Sequence, residues 1–159
     1  MKYFTIRELT KSATAVKLGI NNTPNKEITN SLIALIEHVL DPLRTRYNKP
    51  IIVTSGYRCP ALNRAVNGGS NSQHLKGEAA DITSLGDARD ENMRLLKTLL
   101  NSNIEFDQVI AENVDALNRP DWIHVSFTNK GKNRMKRTTM KRVTKNGKTK
   151  PIYIDGIKL

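Results

Sequence analysis

The segment Ser72-Gln73-His74-Leu75-Lys76-Gly77-Glu78-Ala79-Ala80-Asp81 puts an imidazole at the end of a glycine-bearing loop and a carboxylate inside the strand-like stretch that follows. A second segment, Asp121-Trp122-Ile123-His124-Val125-Ser126-Phe127, alternates apolar Ile123, Val125 and Phe127 with Trp122, His124 and Ser126. Successive strand residues point to opposite faces. Asp81 therefore shares a face with the small Ala79 and with Thr83, and His124 lies opposite a core-like face. Two histidines and one carboxylate with a free fourth position form a catalytic zinc set, in which the metal acidifies water toward a pKa of about 7. A lone histidine is more often structural. His38, within Glu37-His38-Val39, reads as an ordinary helix side chain. The pattern H-E-x-x-H is absent, which excludes the helix-borne metallopeptidase site, and P-loop and G-x-S-x-G motifs are absent too.

The elements that must position these groups follow from periodicity. Thr5 and Glu8 fit a capping box, so a helix is predicted over residues 6–17 with Gly19 as its stop. Ile28, Leu32, Leu35, Ile36, Val39, Leu40 and Leu43 have helical spacing, predicting a long helix over residues 26–47. Pro42 kinks it or starts a new segment after Asp41. Ile51–Thr54 reads as a strand. Residues 55–77 read as a long irregular loop with a short helix at Ala61–Val66, and ordered loops of that length are usually functional. Strands are expected at Glu78–Thr83, Phe106–Ala111 and Trp122–Phe127, and a helix at Asp87–Leu100. Helices first, then strands with one helix between them, give an α+β fold: N-terminal helices packed on a mainly antiparallel sheet that carries the site.

The chain has 159 residues, the size of one domain, with 38% hydrophobic and 26% charged residues. Its net charge is +11, but the charge is not evenly spread. Residues 1–128 hold 15 basic and 14 acidic side chains, whereas residues 129–159 hold 11 basic and one acidic. The expected organisation is a nearly neutral domain over 1–128 and a basic extension over 129–159. Asn146-Gly147 signals a hairpin within that extension. The single Cys59 excludes an intramolecular disulfide framework and a multi-cysteine zinc ribbon. The longest apolar run, Leu32–Ile36, is far short of the roughly 20 residues that span a bilayer. Arg7 and Glu8 interrupt any secretory signal at the N-terminus.

The pattern S-x-H-x-x-G-x-A-x-D, matched by Ser72, His74, Gly77, Ala79 and Asp81, followed by D-x-x-H at Asp121 and His124, resembles the M15 peptidases, zinc D-alanyl-D-alanine carboxypeptidases and peptidoglycan peptidases. Thr54-Ser55-Gly56-Tyr57-Arg58-Cys59-Pro60 and Phe106-Asp107-Gln108 are similar to further segments of that family, so the resemblance covers roughly residues 3–128. It implies one Zn²⁺ held by His74, Asp81 and His124. It implies that Asp121 is the general base, taking a proton from the attacking water and delivering it to the leaving amine. Arg58 would stabilise the oxyanion or bind a substrate carboxylate. Ser72 and Gln73 would shape the ligand loop and offer substrate contacts. Gly77 would let the chain turn between two ligands. Trp122 would be a packing anchor beside the site or a substrate platform. Asp107 is placed to orient a ligating imidazole. Asp121 shares strand parity with Ile123 and Val125, so only an irregularity after Pro120 would turn it toward His124.

The resemblance implies cleavage of an amide in peptidoglycan stem peptides, at the D-alanyl-D-alanine terminus or the L-alanyl-D-glutamate linkage. The expected setting is the cell wall or periplasm, reached by phage-type release or after removal of a leader, and the expected state is a monomer. The ten basic residues between Lys130 and Lys150 fit either a solvated edge or capture of an anionic wall polymer or membrane surface. With Tyr153 the one aromatic residue of the 129–159 extension, nucleic acid is a poor fit. The contrasting reading is a non-catalytic binding protein of the same fold that uses its basic tail on an anionic partner.

Overall fold

The computed structural model describes residues 1–86 and 88–159; Asp87, the expected first residue of the third main helix, lies outside them. The fold is α+β, with a mixed six-stranded sheet in the order β1-β2-β4-β3-β5-β6. The strands are β1 (Ile51–Ser55), β2 (Ala79–Ser84), β3 (Gln108–Glu112), β4 (Trp122–Ser126), β5 (Lys136–Lys145) and β6 (Lys148–Asp155). Every neighbouring pair is antiparallel except β3 and β5.

The predicted 6–17 helix is two helices, α1 (Ile6–Thr10) and α2 (Ala13–Leu18). The Thr5–Glu8 capping box forms, but Lys11 is extended and the Ser12 hydroxyl accepts from the Ala15 N–H, starting a new helix. The side chain of Ser12 competes for backbone donors where a continuous helix would need them. Gly19 ends α2 in the left-handed conformation.

The long helix forms as α3 (Lys26–Leu35), a wide π turn over Ile36–Leu40, and α4 (Asp41–Tyr47). Pro42 has no N–H and its ring crowds the preceding turn. The chain responds one residue earlier: the Asp41 N–H reaches back to the carbonyl of Ile36. A π bulge thus accommodates the proline without a break.

After β1 come α5 (Pro60–Ala65) and a 3-10 turn over Gln73–Lys76, and α6 (Arg89–Leu100) follows β2. Leu32, Leu35, Ile36, Val39, Leu40 and Leu43 pack with Leu95, Leu96 and Leu99 over one face of the sheet. That face is Ala80 and Ile82, Ile123 and Val125, and Val109 and Ala111, all fully or almost fully buried. The alternate residues of the same strands must face the other way. They are Ala79 and Asp81, His124 and Ser126, and Gln108, Ile110 and Glu112.

Asn146 and Gly147 both have positive φ, the signature of a two-residue hairpin turn, and eight residue pairs zip β5 to β6. The basic segment is therefore an ordered continuation of the sheet.

Candidate metal centre

Sheet register brings two of the site residues together. Asp81 on β2 lies directly opposite His124 on β4, and His124 lies opposite Ile110 on β3. His74 arrives from the 3-10 turn before β2. Two glycines make that approach feasible. A side chain at Gly56 would strike the Leu9 carbonyl oxygen at 2.2 Å, and the neighbouring Tyr57 N–H bonds that same oxygen at 2.7 Å. Gly77 turns the chain with φ +68°, and any Cβ there would meet the Ile28 carbonyl oxygen at 2.8 Å.

The His74 Nδ1–H donates to the Gly56 carbonyl at 2.7 Å, which fixes the tautomer and leaves Nε2 with its lone pair facing inward. This Nε2 lies 3.3 Å from His124 Nδ1 and 3.3 Å from Asp81 Oδ1, and His124 Nδ1 is 3.0 Å from Asp81 Oδ1. Four donors about 2.0–2.1 Å from a tetrahedral ion are roughly 3.3–3.4 Å apart, so the triangle has the size of one face of such a site. The donor set, two imidazoles and a carboxylate, suits zinc. His74, Asp81 and His124 thus form a group able to hold a metal ion. Burial lowers the His74 pKa. Burial alone would raise that of Asp81, but the two imidazoles beside it outweigh burial and hold the carboxyl well below the usual range.

The triangle opens into a cleft of about 1250 Å³. Arg58, Ser72, Gln73 and Trp122 line it. The Arg58 Nε is buried without a partner among the described residues. Gln73 Nε2 donates to Asp107 Oδ2 at 2.9 Å.

Asp121 is not brought to the triangle. Its carboxylate takes Arg89 at 3.0 Å and Asn113 Nδ2 at 2.7 Å, and its backbone carbonyl takes Asn92. Arg89 and Asn92 belong to α6, which packs on the helical side of the sheet. Strand parity prevails over the turn that a base at this position would require. Asp107 likewise touches neither imidazole: it binds Gln73 and Arg134, and the Gly56 carbonyl orients His74 in its place.

Glu112 is a second carboxylate on the cleft side of the sheet. It ends β3 opposite Trp122, on the face that carries His124 and Asp81, and lines the same cleft. Burial pushes its carboxyl up to about 7, with Asp81 adding to the rise and His124 and Arg142 opposing it. The signal was in the alternation Gln108, Ile110, Glu112, but the predicted strand stopped at Ala111.

The peptidase M15 family model matches residues 2–126, which include every member of this cleft named so far except Arg134 and Arg142. The chain belongs to the peptidase M15 family. Comparison of this M15 chain with curated proteins gives no match. Family membership makes it a peptidase, and the His74–Asp81–His124 group could hold a metal ion.

Proposed function

We propose that the protein is a zinc-dependent peptidase that hydrolyses an amide bond in peptidoglycan stem peptides. The observation that carries this reading is the convergence of His74, Asp81 and His124 in a cleft that also holds Glu112 and Arg58, within a peptidase M15 domain. A zinc ion held by the three residues would polarise the scissile carbonyl and make water nucleophilic near neutral pH.

The remaining steps fall to the chain's own residues. Glu112 takes the proton of the attacking water as its oxygen bonds to the carbonyl carbon. It returns that proton to the leaving nitrogen as the C–N bond breaks. A carboxylate on the face that carries His124 and Asp81 is placed to serve both halves of this cycle. Arg58, with an unpartnered buried N–H, donates to the carbonyl oxygen as charge develops there, or to a substrate carboxylate. Ser72, Gln73 and Trp122 form the walls against which the peptide lies. Asp121 supports the strand entry through Arg89 and Asn113. In this reading the protein acts at the cell wall, and its basic segment favours an anionic wall or membrane surface over nucleic acid.

Metal analysis together with mass spectrometry of muropeptide digests tests the proposal. One zinc per chain and release of a single D-alanine, or scission within the stem, is the expected result. No metal uptake and no cleavage with zinc supplied would overturn it.

A further inference from the structure

The hairpin β5–β6 lies beyond residues 2–126, yet its inner face continues the floor of the cleft. Lys136 and Thr138 stand beside Gln108 and Ile110, so Met140 and Arg142 follow on the same face, with Tyr153 and Pro151 opposite them on β6. Of the seven basic residues in the two strands, only Lys136 and Arg142 are on this face; Arg137, Lys141, Lys145, Lys148 and Lys150 point away.

Among the basic residues that line the cleft, Lys130 is paired with Glu27 and Arg134 with Asp107, whereas Lys136 and Arg142, like Arg58 and Lys76, form no ion pair among the described residues. Lys136 and Arg142 are also placed on either side of the metal-binding row. That row runs through Asp81, His124, Ile110 and Thr138. At a strand rise of about 3.3 Å per residue, Lys136 is roughly 7 Å along the strand from it in one direction and Arg142 roughly 13 Å in the other.

We infer that the hairpin is the second half of the substrate site, and that Lys136 and Arg142 anchor two carboxylates of an extended acidic peptide, one on each side of the bond held at the metal row. This deepens the peptidase reading and rests on it for the position of the bond. Charge-assisted hydrogen bonds to a guanidinium or ammonium supply the anchoring, and the exposed edge of the hairpin leaves the peptide ends free to run out of the cleft.

The test uses the zinc-loaded full chain and stem pentapeptides ending in D-alanyl-D-alanine, in three forms: unmodified, amidated at the D-glutamate carboxylate, and amidated at the C-terminus. Where the peptides are cleaved, KM and kcat are compared. Where they are not, calorimetry gives Kd for the same peptides, so failure of the peptidase reading leaves this measurement standing. Each amidation is expected to weaken binding to the wild type about tenfold, with kcat little changed. Lys136→Gln should abolish the penalty of one amidation only, and Arg142→Gln that of the other. Lys145→Gln, on the opposite face, should abolish neither. Penalties that persist in both variants, or variants that weaken all three peptides equally, would overturn the inference and reduce the hairpin to a general cationic surface.

Discussion

Strands β2 and β4 bury nearly every residue, whereas β6 buries none, although all belong to one sheet. The first pair has the helical core on one face and the floor of the cleft on the other. Toward its tip the hairpin has solvent on its outer face, and its inner face borders the cleft. The donor atoms of His74, Asp81 and His124 must be fixed to within fractions of an ångström, and close packing supplies that rigidity. Long cationic side chains on the hairpin need only reach an anion. Substitutions in the packed half should therefore act through geometry and chemistry, and those in the hairpin through affinity.

The sharpest break of this contrast is His124→Ala. Removing one donor from the triangle should abolish stoichiometric zinc binding and lower kcat/KM by about a thousandfold or more, given the several kcal/mol that a Lewis acid contributes. Metal analysis and peptide turnover on the same preparation check it. Retention of both would remove His124 from the site.

Next in size is a pair of carboxylates within the packed half. Glu112→Gln should lower kcat on the order of 10²–10⁴-fold while zinc stays bound. Asp121→Asn should leave kcat within about threefold and cost roughly 0–1 kcal/mol of stability, because the Arg89–Asp121 pair is partly exposed. The reverse ranking in steady-state kinetics would restore Asp121 as the base.

This pair also marks how far the sequence could be read. The imidazole and carboxylate of S-x-H-x-x-G-x-A-x-D are close in the chain, and simple alternation put Asp81 and His124 on a common kind of surface. Glu112 was harder. Its strand had to be extended by one residue and then registered against β4, and register depends on long-range pairing that no local pattern encodes. For Asp121 the motif and the parity pointed opposite ways, and parity won once α6 offered Arg89 and Asn113 stood alongside. The Asn146-Gly147 turn was legible because it is local. The parallel pairing of β5 with β3, which carries the hairpin into the cleft, was not.

The joint between the two halves gives a pH-dependent effect. Asp107, next to β3, accepts from Arg134 Nε at 2.8 Å and from Gln73 at 2.9 Å. The Arg134 hydrogen bond, against the opposing effect of burial and with help from Gln73, holds its carboxyl below the ordinary 3.8. The unfolded chain takes up its proton first, so the stability from this group is full above about pH 4 and fades as pH falls through the folded value. Asp107→Asn should cost about 1–2 kcal/mol at neutral pH. Thermal melts of wild type and variant should draw together as pH falls below the ordinary carboxylate range, and a gap that stays constant would remove Asp107 as the acid-sensitive link.

The smallest effect separates the two faces of the hairpin. Lys145 and Lys148 pair with each other across the tip on the outer face, away from Lys136 and Arg142. Exposed charges act on an anionic surface through a field that physiological salt screens over about 8 Å. Lys145→Gln with Lys148→Gln should therefore leave kcat and KM for a soluble stem peptide unchanged. Its affinity for insoluble wall fragments should fall about two- to fivefold at low ionic strength, with the difference vanishing in concentrated salt. A cosedimentation series across salt concentrations reads this directly. If the tip lysines instead raised KM for the soluble peptide, the outer face would be in contact with substrate, and the division of the hairpin into a substrate face and a surface-facing side would fall.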